Sequence, residues 1–241
     1  MKFKRILKYL FFPLIIIGLG LLFAFSSKRN DAIKVGIPLV DFASGDNNFL
    51  THSMVNKLLI QNPKKMQNNP KSMIDLYNLE NNVSKNPYVA KADVFLTVDG
   101  KLKLMLKQRE PIARILGDGE AYYIDKQGVK MPLSVNYSSR VLLVLGVYHE
   151  EEIIELLKLI KAIEKDDFLH KEIVGIEKSA ENEFQFSVRS GDYKIDFGNL
   201  TKMDLKFKKL KAFYNTTFED KTIQNYKTIN VKYHNQVVCT K

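Results

Sequence analysis

The sequence predicts an α+β chain with a single N-terminal transmembrane helix. A small strand-helix-helix-hairpin domain follows, then a mixed β domain with two packed helices. Three observations carry that expectation. Residues 9 to 25, YLFFPLIIIGLGLLFAF, hold no charge and are almost wholly apolar. Residues 93 to 107 alternate apolar and polar side chains on either side of Asp99-Gly100, the pattern of a β-hairpin. Beyond residue 110, short strand-like runs alternate with two helical periodicities, Ile153 to Ile163 and Met203 to Tyr214.

The apolar run counts 17 residues, at the short end of what spans a bilayer. Pro13, Gly18 and Gly20 are tolerated in membrane helices. Lys2, Lys4, Arg5 and Lys8 precede it, while only Lys28 and Arg29 follow closely. That asymmetry predicts a cytoplasmic tail at 1–8, a signal anchor at 9–25 and export of the rest. A cleaved signal peptide is the alternative, with Ala24-Phe25-Ser26 as the cleavage site. The run exceeds the usual length of a signal-peptide core, which favours an anchor.

Setting aside the four leading cations, 33 basic residues face 27 acidic ones, a net charge of +6 against +10 for the whole chain. With Cys239 as its one cysteine, the chain can form no intramolecular disulfide and no cysteine metal cluster. The exported part must therefore hold together by its core, for which 45% hydrophobic residues suffice.

Residues 26–32 read as a tether. Ile33 to Val40 fits a first strand, and Gly36 and Pro38 suggest an edge position. Asp41 to Asn48 is turn-rich. Thr51 can cap a helix through Met54, Val55, Leu58 and Leu59, and Asn62 to Lys71 reads as a loop. A second helix covers about Met73 to Ser84, with Ile74, Tyr77 and Val83 as candidate buried positions. Asn86-Pro87 ends it, because the residue before proline avoids the α region. The hairpin then places Val94, Leu96 and Val98 on one face, turns through a two-residue Asp99-Gly100 loop, and returns through Leu102, Leu104 and Leu106. It stops at Arg109-Glu110-Pro111, since proline cannot donate to a ladder.

In the second half, Ile112 to Leu116 continues extended and Gly117-Asp118-Gly119 turns. Ala121 to Ile124 and Val129 to Met131 pair across Asp125 to Gly128. Arg140 to Val147 is a continuous apolar run, as in a buried strand. Glu150-Glu151-Glu152 opens an amphipathic helix, its acids suited to the helix dipole, with Ile153, Leu156, Leu157, Ile160 and Ile163 on one face. Ile173 to Lys178, Phe184 to Val188 and Tyr193 to Phe197 give three strands. Thr201 with Asp204 fits a capping box for a helix striped by Met203, Phe207, Leu210 and Tyr214. The chain closes with a strand at Tyr226 to Tyr233, expected at a sheet edge, and a short apolar tail at Val237-Val238.

With these elements placed, the chain resembles the FtsQ/DivIB family of bacterial cell-division proteins. The likeness rests on Asn86-Pro87-Tyr88-Val89, then Ala92 and Val94 before the hairpin. It continues through Gln108-Arg109-Glu110-Pro111-Ile112-Ala113-Arg114, similar to the family's Glu-Arg-x-Pro-hydrophobic-Ala junction, and Tyr123-Ile124-Asp125-Lys126-Gln127-Gly128. Gln108 stands where the family has a carboxylate, and Lys34-Val35-Gly36 is at most a remnant of its Val-x-Gly pattern. The resemblance implies a POTRA domain at 33–110 and a β domain at 111–241. It also implies docking of small coiled-coil division proteins of the FtsB/FtsL kind on the last strand. Asn230-Val231-Lys232-Tyr233 stands against the family's Asp-Leu-Arg-Tyr, so Lys232, Tyr233, Asn235, Val237 and Val238 become the expected partner-binding residues. Packing of Tyr233 into the domain's own core is the open alternative.

No catalytic, cofactor or metal site is expected. His52, His149, His170 and His234 are scattered without ligand spacing. Two facing carboxylates drawn from Asp118, Glu120 and Asp125 would serve a membrane-anchored cell-wall hydrolase, against the simpler reading of turn acids. A POTRA-containing envelope assembly factor would need a membrane barrel, for which the last 130 residues offer no strand series. Lys202, Lys206, Lys208, Lys209 and Lys211 read as a solvated helix face rather than a nucleic-acid site. No small-molecule substrate is expected. The resulting expectation is a divisome scaffold in the bacterial inner membrane, N-terminus in the cytoplasm, concentrated at the septum and organising wall synthesis through other membrane proteins.

Overall fold

The computed structural model describes residues 2–31, 38–43, 49–59, 74–117, 119–147, 149–220 and 222–241. Helix α1 spans Lys2–Asp31. Within it, Phe11–Arg29 is long and apolar enough to cross a membrane, and none of that window is buried against protein. The chain divides into two compact units, Met1–Gln108 and Arg109–Lys241.

The first unit carries β1 (Leu39–Phe42), α2 (His52–Leu59), α3 (Leu76–Ser84), β2 (Val89–Leu96) and β3 (Leu102–Gln108). Its sheet has the order β1-β3-β2, with β1 parallel and β2 antiparallel to β3. The first strand lies at an edge, as Gly36 and Pro38 suggested. It begins at Leu39, and residues 33–37 of the expected strand lie outside the described residues, as does the 62–71 loop. Asp41 and Phe42 belong to the strand rather than to the following turn. Leu102, Leu104 and Leu106 are fully buried and pack with Val55, Leu59, Val83 and Val94 in one cluster. Thr51 Oγ1 accepts the Met54 N–H at 3.3 Å, the expected cap.

Two expectations are corrected here. Tyr77 is 74% exposed, and Leu76 and Leu79 pack against the cluster in its place. The hairpin loop has three residues, Val98 to Gly100, instead of two, and Thr97 and Lys101 close it. Thr97 N–H donates to Lys101 O at 2.9 Å, and Gly100 N–H to Thr97 O at 3.0 Å. Gly100 takes φ +82°, the left-handed residue that closes a three-residue hairpin loop. Val98 therefore sits at the tip, 88% exposed, not on the buried face.

The second unit is a nine-stranded sheet. Its elements are β4 (Pro111–Leu116), β5 (Ala121–Asp125), β6 (Lys130–Pro132), β7 (Leu142–Leu145), α4 (Glu150–Glu164), α5 (Asp167–Glu172), β8 (Ile173–Lys178), β9 (Phe184–Val188), β10 (Lys194–Gly198), α6 (Met203–Glu219), β11 (Thr228–Asn230) and β12 (Val238–Thr240). The sheet order is β12-β11-β10-β9-β8-β7-β4-β5-β6. One register row crosses it: Tyr122, Ile115, Val144, Ile176, Phe186, Ile195, Ile229 and Cys239. The buried stripes of α4 and α6 join the core that this row lines. The adjacent row, on the other face, reads Tyr123, Arg114, Leu143, Gly175, Ser187, Lys194, Thr228 and Thr240.

That one-sided cover corrects the reading of residues 140 to 147. Leu142 and Val144 are buried, but Leu143 and Leu145 are each 39% exposed. Thr201 forms no capping box with Asp204: its hydroxyl donates to Asn199 Oδ1 at 2.6 Å, and α6 starts at Met203. Helix α5 is an addition, capped by Asp166 Oδ1 on the N–H groups of Phe168 and Leu169. It delivers Glu172 to a buried polar cluster, where Tyr214 Oη donates to Glu172 at 3.2 Å and Tyr193 Oη to Tyr214 at 2.9 Å. Burial raises the pKa of both hydroxyls, and the Glu172 carboxylate adds to it.

Candidate docking surface at the C-terminal sheet edge

Strand β10 leads through α6 to β11, which pairs parallel to β10. Asn230 Oδ1 then accepts the Lys232 N–H at 2.9 Å, and the strand ends. The chain loops through Lys232 to Gln236 and returns as β12, antiparallel to β11. This corrects the expected Tyr226 to Tyr233 edge strand. Its regular part is Thr228–Asn230, an inner strand, and the edge belongs to Val238–Thr240.

No described strand covers the outer side of β12. Lys227 N–H donates to Thr240 O at 2.8 Å, so the Thr240 carbonyl points inward. The alternation of an antiparallel ladder then turns the N–H and C=O of Cys239 outward. The Cys239 side chain instead faces the core, where burial raises the thiol pKa. Thr228 and Thr240 hydroxyls meet at 2.5 Å on the other face.

The expected partner-binding residues fall around this edge. Lys232, Tyr233 and Asn235 are exposed in the loop, Val237 is half-buried against the core, and Val238 opens β12 at 39% exposure. Tyr233 is 50% exposed. Lys209 on α6 fixes the loop by donating to the carbonyls of Val231, at 2.9 Å, and Tyr233. Lys232 pairs with Glu183 at 2.9 Å, and that carboxylate raises its pKa. Gly198, at φ +74°, lies so close beneath Lys232 that a Cβ would stand 2.7 Å from its side-chain carbons.

Two hollows flank the loop. One, about 540 Å³, is lined by Phe213, Tyr226, Asn235, Gln236 and Val237 among others. The other, about 260 Å³, lies between Lys202, Lys206, Lys209, Lys232, Tyr233 and His234. Lys206 is nearly buried there, donating to Asn199 O at 2.7 Å. Burial, then the charges of Lys209 and Lys232, lower its pKa. The reading of Lys202, Lys206, Lys208, Lys209 and Lys211 as a solvated face is corrected at two of them, since Lys206 is buried on Asn199 and Lys209 holds the loop carbonyls. Sequence reasoning missed the strand at Cys239 and Thr240. No glycine or proline marks the loop before β12, which left only the Val237-Val238 pair as a signal.

The remaining motif residues serve the fold. Asn86 takes the Tyr88 N–H on Oδ1 at 3.0 Å and the Val89 N–H on its carbonyl at 3.0 Å, turning α3 into β2. Tyr88 stacks on Phe49, ring centroids 5.3 Å apart. Arg109 donates to Asp125 Oδ2 at 2.7 Å, while Asp125 Oδ1 accepts the N–H groups of Gln127 and Val129. Glu110 is exposed and Pro111 buried at the start of β4. With both oxygens so engaged, Asp125 is a structural turn acid. Asp118 lies outside the described residues.

Comparison with known proteins agrees with this architecture. Residues 110–240 match the family model described as FtsQ/DivIB, C-terminal related, and residues 34–107 match a POTRA-like domain. The chain belongs to the FtsQ/DivIB family. FtsQ/DivIB proteins are non-enzymatic, and membership points to a role in cell division through contacts with other division proteins. The N-terminal apolar helix fits a single-pass member of the family. No curated protein sequence matches the chain at a significant level.

Proposed function

We propose that the chain is a bitopic divisome scaffold whose second unit receives small coiled-coil division proteins of the FtsB/FtsL kind by strand addition at β12. The POTRA domain would occupy 33–110 and the β domain 111–241. Both would lie outside the cytoplasm, at the inner membrane of the septum, where the scaffold helps organise wall synthesis. One observation carries the reading: an outward Cys239 N–H and C=O beside the half-exposed Tyr233 and the hollow at Val237. An edge of this kind offers main-chain hydrogen bonds for affinity, and flanking hollows supply side-chain selectivity. The anchor confines the unit near other membrane-held partners and raises their effective concentration.

The test is co-purification of the division partners from membranes with three variants. Cys239→Pro removes an outward donor while leaving the bonds of Thr240 to β11, and is expected to reduce capture at least tenfold. Tyr233→Ala is expected to weaken it, and Cys239→Ala to retain it. Undiminished capture by folded Cys239→Pro and Tyr233→Ala proteins would remove this surface from consideration.

A further inference from the structure

Exposed large apolar side chains are unevenly placed in the first unit. Between Pro38 and Gln108 they are, among the described residues, Leu39, Tyr77, Phe95, Val98 and Met105. Four of the five gather at one end. Strand β1 runs parallel to β3 with Leu39 opposite Lys103, so the start of β1 adjoins the hairpin tip at Val98. Phe95 pairs with the same Lys103 from the other side. Tyr77 follows from the helix. Glu80 on α3 accepts the Val94 N–H at 3.2 Å, and the tight turn at Asn86 makes α3 antiparallel to β2. Three residues before Glu80, Tyr77 is thus displaced toward the tip. The opposite end exposes Ser84, Lys85, Ala90, Lys91 and Lys107, with no large apolar side chain.

The apolar end is also where the chain arrives from α1. Asp31 and Leu39 are eight residue steps apart, at most about 28 Å even when fully extended. Lys101 and Lys103 stand beside Val98 and Phe95, with Lys101 paired to Asp99 at 2.9 Å. Exposed apolar side chains, a tyrosine and lysines together are the composition of a membrane-interface contact.

We propose that this end of the first unit, led by Val98 and Tyr77, rests in the headgroup layer of the bilayer that holds α1. The apolar side chains meet the acyl boundary and the Lys101 and Lys103 ammonium groups meet lipid phosphates. So small a surface would not hold a free protein, but the tether keeps it at high effective concentration. The contact sets how the unit stands on the membrane and leaves the polar end facing away. It rests on α1 being the anchor, which the experiment reads separately.

The full chain, with Cys239→Ser, is placed in nanodiscs of phosphatidylethanolamine and phosphatidylglycerol carrying a nitroxide lipid near the headgroup. Single cysteines replace Ile16, Val98 or Ser84 and carry a fluorophore. Quenching at Val98 at least twofold above that at Ser84, together with quenching at Ile16, supports the proposal. Equal, weak quenching at Val98 and Ser84 with Ile16 quenched overturns it. An unquenched Ile16 overturns the anchor reading, and the proposal with it.

Discussion

Arg109 and Asp125 were each legible as family motif residues, but not their partnership across 16 positions. The side chains are 17% and 8% exposed, so little solvent screens the pair. Removing one partner leaves a largely buried charge behind. Arg109→Ala is therefore expected to destabilise the second unit by about 3 kcal/mol, read as a lower urea midpoint with unchanged slope. Gln108 makes a pair of bonds that needs an amide. Its amide accepts the Leu50 N–H at 3.1 Å and donates to the Leu50 carbonyl at 3.4 Å, and a carboxylate cannot donate. Asp166 gives a pH-dependent counterpart. Its pKa is lowered from 3.8, chiefly by the hydrogen bond from Lys211 and then by the N–H groups it caps. A lowered folded value means a contribution fully present above about pH 4 and lost as pH falls through the folded pKa. The stability gap between the natural protein and Asp166→Asn should accordingly close on acidification below pH 4, followed by thermal unfolding across that range.

At the level of elements, strong periodicity was readable and the edges of the sheet were not. The stripes of α4 and α6 hold because a helix buries one face, and four of the five residues expected on α4 are fully buried, with Leu157 half-buried. The run at Leu142–Leu145 misled because four apolar residues in succession look two-sided, whereas one face is left without a helix. The last strand misled for a different reason. Val231 and Tyr233 continue the alternation of β11 in sequence, but the Asn230 side chain ends the strand by taking the Lys232 N–H. The loop that follows depends on Gly198 beneath it. Gly198→Ala places a side chain at positive φ, costing about 1–2 kcal/mol, and pushes Lys232 from its seat. The Lys232–Glu183 pair should then loosen and the raised Lys232 pKa fall back toward 10.5, a shift that NMR titration of the lysine side chains would detect. An unchanged Lys232 pKa would show that the glycine does not position it.

Across the whole molecule, the sheet edges differ in how open they are to another chain. An uncovered edge is a template for pairing, and proteins blunt the ones they do not use. Edge β6 is three residues long and ends in Pro132. Edge β2 has its outward Val94 N–H taken by Glu80. Edge β12 is equally short, but among the described residues it carries no proline and no side chain takes its outward Cys239 N–H. Lys209 holds the loop before it, and the continuous core row ends at Cys239. The asymmetry predicts where a partner strand adds. Hydrogen exchange of the full chain, with and without the captured division partners, should show the Cys239 amide slowing at least tenfold on binding. The Val94 amide, already bonded, should keep its rate. Glu80→Ala should speed exchange at Val94 in the free protein and leave capture unchanged, because β12 and not β2 is the receiving edge. Slowing at Val94 without slowing at Cys239 would move the docking site to the first unit.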